Sequence, residues 1–146
     1  MNVRDLLTAP LQPAADAMAL FVRIALAAPF FLSGRTKVAE GSWFEISDTT
    51  YLLFENDYSG VPLPSNFAAV AATVSEHLWP LLLVLGLATR LSAAALIGMT
   101  MVIQIFVYPD AWWNLHMTWV ALGLAVLVMG PGRYSLDHVL FARKTA

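Results

Sequence analysis

Apolar residues in this chain run in long unbroken blocks separated by short polar links, instead of alternating with polar residues as a half-buried strand would. Residues 91–109, LSAAALIGMTMVIQIFVYP, hold no acid, base or histidine. At ~1.5 Å per residue about 20 residues cross the hydrocarbon core of a bilayer, so this block predicts a spanning helix. Residues 112–130 form a second such block with His116 inside it, and residues 66–88 a third that carries Glu76 and His77. Residues 14–34 form a fourth, interrupted at Arg23. The pattern predicts an all-α fold, a four-helix transmembrane bundle in a single domain over residues 1–146.

The links differ in length. Ala88-Thr89-Arg90 and Pro109-Asp110-Ala111 are short corners, which force antiparallel neighbours. Residues 36–65 are a longer segment with Glu40, Glu45, Asp48, Glu55 and Asp57, too polar to span, yet Trp43, Phe44, Tyr51, Leu52, Leu53, Phe54 and Tyr58 give it an apolar side. It is expected to be an ordered, partly helical cap over the extracytoplasmic mouth. After the helix-stopping Gly130-Pro131-Gly132, Ser135 is placed to cap a short interfacial helix over residues 135–144, with Leu136, Val139 and Leu140 on one side. His138 belongs to that helix and is assigned no chemistry.

Composition agrees with the blocks. Of 146 residues, 59% are hydrophobic and 12% charged, against about a quarter charged in soluble domains, which marks an integral membrane protein. There is no cysteine, so thiolate catalysis, disulfide exchange and iron–sulfur ligation are excluded. The formal net charge of −2 and the lack of a basic run exclude nucleic acid as a partner. The N-terminus does not read as a cleaved signal, because Asp5, Pro10, Pro13 and Asp16 interrupt any apolar region, and the first span is expected to direct insertion. Arg4, Arg90, Arg133, Arg143 and Lys144 fall on one side, whereas Arg35 and Lys37 lie among the acids of the other. The positive-inside rule then places both termini in the cytoplasm of a bacterial inner membrane, with the lipid bilayer as the first partner.

Candidate chemistry is the set of polar residues inside the spans. Counting residues from the cytoplasmic side puts Arg23 about 12 Å deep, Glu76 about 18 Å, and Gln104 and His116 roughly 20 Å. An isolated charge at such depth costs at least ~2.5–3.5 kcal/mol, so these groups should face the bundle interior and answer one another. Arg23 is long enough to reach Glu76, and the expectation is an Arg23–Glu76 pair, which serves either a functional site or helix register alone. His77 lies about 100° round the helix from Glu76, so one of the two faces the core and the other a seam or rim. His116 shares its face with Val120 and Gly123, and Gly123 admits the close approach of a helix or ligand. His116 with Glu76 or His77 offers metal or proton-relay ligands, but no H-x-x-x-H or E-x-x-H spacing occurs and no metal site is assigned. The polar head of a quinone or similar molecule needs only hydrogen-bonding groups in an apolar pocket, which Arg23, Glu76, His77, Gln104 and His116 supply.

The blocks VRIALAAPFFLSGRTKV, FAAVAATVSEHLWPLLLVLGLATRLSAAAL and GPGRYSLDHVL, in this order over nearly the whole chain, resemble the DoxX family of small bacterial membrane proteins. Arg23, Ser33-Gly34, Lys37, Glu76, the Gly86 to Arg90 corner and Gly132 to Asp137 carry the resemblance. It implies a four-helix membrane bundle associated with redox or detoxification systems, some members being linked to quinones. It supplies no catalytic residues, so Arg23, Lys37 and Glu76 are carried over as characteristic positions only. Two classes of function follow. One is a redox-associated subunit that binds a quinone or another small hydrophobic molecule and works with a membrane or periplasmic redox partner. The other is a non-catalytic scaffold that docks a partner through Trp43, Phe44, Tyr51 and Tyr58 of the cap. Transport of a small molecule or metal would require a homo-oligomer, since no internal repeat is present. Nothing in the chain marks it as an enzyme on its own.

Overall fold

The structure, a computed structural model, describes residues 11–142. Arg4, Arg143 and Lys144, used above for orientation, lie outside the described residues. Among the described residues four helical segments are long and apolar enough to cross a membrane: α1 (Gln12–Thr36), α3 (Ser65–Leu85), α4 (Thr89–Phe106) and a fourth span, Pro109–Met129. Each begins and ends within a few residues of its apolar block, because the blocks stop where Gly, Pro and charge begin. Neighbours in the ring are α1–α3, α3–α4, α4–fourth span and fourth span–α1, so the short corners produce an up-down-up-down bundle. Val22, Leu26, Ala27, Phe30, Leu83, Ala93, Leu96 and Val126 fill its centre, with Trp79, Met99 and Trp119 packed around them. Gly123 lies against Ile97 of α4, the close helix approach expected of it.

The fourth span departs from the expectation of one continuous helix. It opens with a 3-10 turn at Pro109–Ala111 and a π-helical turn at Trp112–His116 before α5 (Met117–Met129). A single side chain holds this irregular start: Gln104 Nε2 donates to the Pro109 carbonyl at 2.5 Å, and Gln104 Oε1 lies 2.7 Å from His116 Nδ1.

Residues 37–64 form the ordered cap that their aromatic content predicts. Val38 and Ile46 make one antiparallel bridge. Ser47 caps α2 (Asp48–Asn56) by accepting from the Thr50 amide at 3.3 Å, and the Thr50 hydroxyl donates to the Lys37 carbonyl at 2.9 Å. Phe54 is buried against Ala68 and Ala69 of α3, flanked by Tyr51 and Tyr58, so the cap is seated on the bundle through its apolar side.

The opposite end is closed by a clasp. α3 ends at Gly86, whose left-handed backbone (φ +70°) lets Leu87 N–H reach the Leu82 carbonyl at 2.9 Å and Gly86 N–H the Leu83 carbonyl at 3.1 Å. Arg23 is completely buried beneath this turn, donating Nη1 to the carbonyls of Leu83 (3.3 Å) and Val84 (3.4 Å) and Nη2 to that of Tyr134. A guanidinium on the last carbonyls of a helix satisfies orphaned acceptors and complements the helix dipole. Asp137, in α6 (Leu136–Ala142), accepts from the amides of Ala88 and Thr89, both at 2.8 Å, and so caps the start of α4. Ser135 caps α6 as expected, accepting from the His138 amide at 3.1 Å. Asp16 completes the clasp, accepting from the Arg133 amide at 3.1 Å.

Burial pushes the Asp137 carboxyl up, but the Thr89 and Ala88 hydrogen bonds and the nearby Arg23 charge outweigh it and hold the group below its ordinary value. A depressed folded-state value means that the stabilisation is present above the ordinary aspartate pKa of about 3.9 and is lost as pH falls through the lower folded value. Asp137→Asn should therefore lower the thermal unfolding midpoint of the detergent-solubilised protein at neutral pH, by the equivalent of about 1 kcal/mol for a lost cap. The gap from wild type should close on acidification below pH ~4.

Candidate functional site

At the capped end α1 and α3 approach so closely that a Cβ on Gly34 would lie 2.9 Å from the His77 ring and 3.0 Å from the Glu76 Cβ. Ser33 sits beside that glycine, and Lys37 one helical turn beyond Ser33. Together they enclose Glu76: Lys37 Nζ is 2.7 Å from Glu76 Oε2, Ser33 Oγ donates to Glu76 Oε1 at 3.2 Å, and Lys37 Nζ donates to Ser33 Oγ at 3.0 Å. Both charged side chains are almost wholly shielded from solvent. A buried ammonium and carboxylate tolerate each other's surroundings only when paired and hydrogen-bonded in this way.

This corrects the expected Arg23–Glu76 pair. Arg23 lies level with Leu83 and Val84 at the clasp, whereas Glu76 lies about two helical turns nearer the start of α3, ~10 Å away at ~1.5 Å per residue. Residue counting assumed spans that start flush. α1, 25 residues long, instead begins beyond the α3–α4 corner, where Asp16 and Ala19 pack on the 130–137 segment. Arg23 therefore answers helix-end carbonyls, and the partner of Glu76 comes from the other end of α1.

His116 and Gln104 do meet, as their shared depth predicts. His116 is 1% exposed, packed against Trp119 at 5.3 Å between ring centroids. His77 takes the seam and Glu76 the interior. His77 Nδ1 lies 2.7 Å from the Thr73 carbonyl and its ring packs edge-on to Phe31.

Lys37, Glu76, Ser33 and His116 line one cavity of about 300 Å³ in the capped half of the bundle. Apart from Ser75 its span walls are otherwise largely apolar, built from residues such as Ala68, Ala72, Met99, Ile103 and Trp119, while Phe54, Tyr58, Val61 and Leu63 of the cap form the roof. The Tyr58 and Tyr108 hydroxyls meet at 3.2 Å at the rim. Burial, followed by the hydrogen bond to Tyr108, raises the Tyr58 phenol well above its ordinary value, so it stays protonated. Of the expected site residues, Lys37, Glu76 and His116 thus share a cavity and Gln104 supports it from behind, while Arg23 and His77 belong to helix contacts. Ser33, not singled out for chemistry from the sequence alone, is the residue added. Its signal was its place one helical turn before Lys37.

The four cap aromatics part in two. Tyr58 lines the cavity and Tyr51 packs beside Phe54, each half-buried. Phe44 is 95% exposed, and Trp43 is 61% exposed with the Arg35 guanidinium over its ring at 4.3 Å. Among the described residues no three His, Asp or Glu side chains cluster as metal ligands.

The sequence model of the DoxX family matches residues 18–109, which include Arg23, Ser33, Lys37, Glu76 and Gln104 and stop short of His116 and the 130–137 segment. A Haemophilus influenzae protein described as uncharacterized is 31% identical over 129 residues, covering 83% of this chain and 82% of its own. No solved structure matches.

Lys37→Met would leave the Glu76 carboxylate buried without its counter-charge and should destabilise the solubilised protein by about 3–5 kcal/mol. The double variant Lys37→Met/Glu76→Gln should recover most of that loss, since no unpaired charge remains. Thermal unfolding of the two variants beside wild type measures both effects.

Proposed function

This chain belongs to the DoxX family of membrane proteins, and on that premise we propose that its cavity binds the polar head of a small hydrophobic molecule, such as a quinone, for a membrane redox or detoxification system. The observation that carries the reading is the placement of Lys37, Glu76 and His116 on one apolar cavity inside the bundle. About 300 Å³ is the lower end of the range for small-molecule sites and matches a single substituted ring.

The residues fit such a group. Lys37 Nζ has three donors and gives one to Ser33 and one toward Glu76, which leaves a third for an acceptor on the ligand. His116 supplies a ring nitrogen, Trp119 and Met99 supply polarizable surface, and Tyr58, Val61 and Leu63 of the cap cover the cavity from above. A bound quinone would contribute two-electron, two-proton chemistry. The chain's own part is to orient the head, keep it dry and offer hydrogen bonds.

The reading includes an inner-membrane location with the clasp in the cytoplasm and the cap outside. Arg90 and Arg133 at the clasp end and the acids Glu40, Glu45, Asp48, Glu55 and Asp57 of the cap support that orientation. A second reading, a scaffold that recruits a partner protein, is favoured by one observation: Phe44 presents nearly its whole ring at the top of the cap.

Native mass spectrometry of the protein, extracted gently from host membranes, tests the two readings. The ligand reading expects a defined small-molecule adduct on wild type that disappears in His116→Ala and Glu76→Gln. A chain without adduct that arrives with a second protein, and loses it in Phe44→Ala, would overturn the ligand reading in favour of the scaffold.

A further inference from the structure

The Pro109–Gln104–His116 chain of hydrogen bonds fixes more than the start of the fourth span. A proline carbonyl can only accept, so the end of the Gln104 amide that meets it at 2.5 Å is the NH₂ group. The other end, Oε1, is therefore the one 2.7 Å from His116 Nδ1, and an amide oxygen can only accept. His116 Nδ1 must then carry the proton. In the neutral ring this leaves Nε2 with a lone pair, on a side chain that lines the cavity.

The other polar side chains on the cavity lining are either set against one another or, like the Ser75 hydroxyl, able to donate as well as accept. Glu76 Oε1 takes the Ser33 hydroxyl and Oε2 faces the Lys37 ammonium, while the Tyr58 and Tyr108 hydroxyls meet each other. His116 Nε2 is the neutral group of the lining that can only accept, and it lies in largely apolar surroundings where an unmet hydrogen bond is costly.

We infer that the cavity selects a head group bearing a hydroxyl, a phenol or hydroquinone, through a hydrogen bond donated to His116 Nε2, with Gln104 as the positioning residue that sets this polarity. The inference rests on the proposed ligand reading and deepens it. Of a quinone and its hydroquinone, the reduced member is the one the relay favours. Gln104 touches no ligand. It acts by holding the proton on the far side of the imidazole.

Two probes of nearly the same shape separate donor from acceptor: 4-pentylphenol and its methyl ether, 4-pentylanisole. Their binding to the full-length protein in nanodiscs can be read from tryptophan fluorescence, since Trp119 lines the cavity beside His116. In wild type the phenol should bind about tenfold more tightly than the ether, the worth of one hydrogen bond in a dry site. Gln104→Leu removes the relay and frees the imidazole to exchange tautomers, so the ratio should fall toward one while both probes still bind. Gln104→Glu keeps an acceptor opposite Nδ1 while losing the donor to the Pro109 carbonyl, and should keep the preference, which separates proton placement from the anchoring of the fourth span. Equal binding of the two probes to wild type, or tighter binding of the ether, would overturn the inference and leave the cavity reading standing. Failure of both probes to bind wild type would overturn the cavity reading and the inference with it.

Discussion

α1 and α3 touch at a residue without a side chain, and the capped end is organised by that contact. Because Gly34 lets the helices meet against the His77 ring, Ser33 and Lys37 are brought down on either side of Glu76. A methyl group at position 34 would drive the helices apart by an amount that an ion pair of 2.7 Å does not tolerate. The carboxylate, set in the bundle interior by its place on α3, is thereby answered by a lysine from the very end of α1. The cap then closes over the pair, tied to α1 through the Thr50 hydroxyl on the Lys37 carbonyl. Helix approach, charge pairing and cap placement are one arrangement.

A second constraint, independent of the first, acts at the other end. A helix in lipid must find partners for its terminal carbonyls and amides within the protein. Arg23 does this for the end of α3 and Asp137 for the start of α4, and the two charges lie close enough to favour each other. The residues that carry the family resemblance thus gather at two places far apart in the bundle. Arg23, the Gly86 to Arg90 corner and Gly132 to Asp137 make the clasp. Ser33, Lys37 and Glu76 stand together on the cavity wall, brought there by the helix contact at Gly34.

What was legible in the chain follows from which interactions are local. Apolar length alone locates four spans, because the cost of leaving charge or unpaired backbone in lipid is large and falls on every residue of a span. The cap was legible for a related reason, since Phe54 and Tyr51 in a polar segment need a surface to cover. Pairing was not. Arg23 and Glu76 are the two formal charges deepest within their apolar blocks, and nothing local in the sequence assigns them different partners. The offset of α1 by several residues relative to the corner is set by the tail segment that lies on Asp16 and Ala19, and no local pattern reports it. The π-helical turn at Trp112–His116 was hidden likewise, because it depends on Gln104 reaching across from the neighbouring helix.

The buried Lys37–Glu76 pair admits a purely architectural explanation, in which it exists to fix the register of α1 on α3. Other contacts already fix that register. Gly34 against His77 sets it at one end of the interface, and Arg23 on the Leu83 and Val84 carbonyls sets it at the other. Apolar residues of similar volume often hold helices as well as a buried ion pair does, without its desolvation cost. The pair also sits on a cavity wall, opposite a histidine whose proton is placed by its neighbours, and not within close-packed core. The pair therefore does two things at once: it joins α1 to α3, and it presents an ammonium and a carboxylate to the space beside His116.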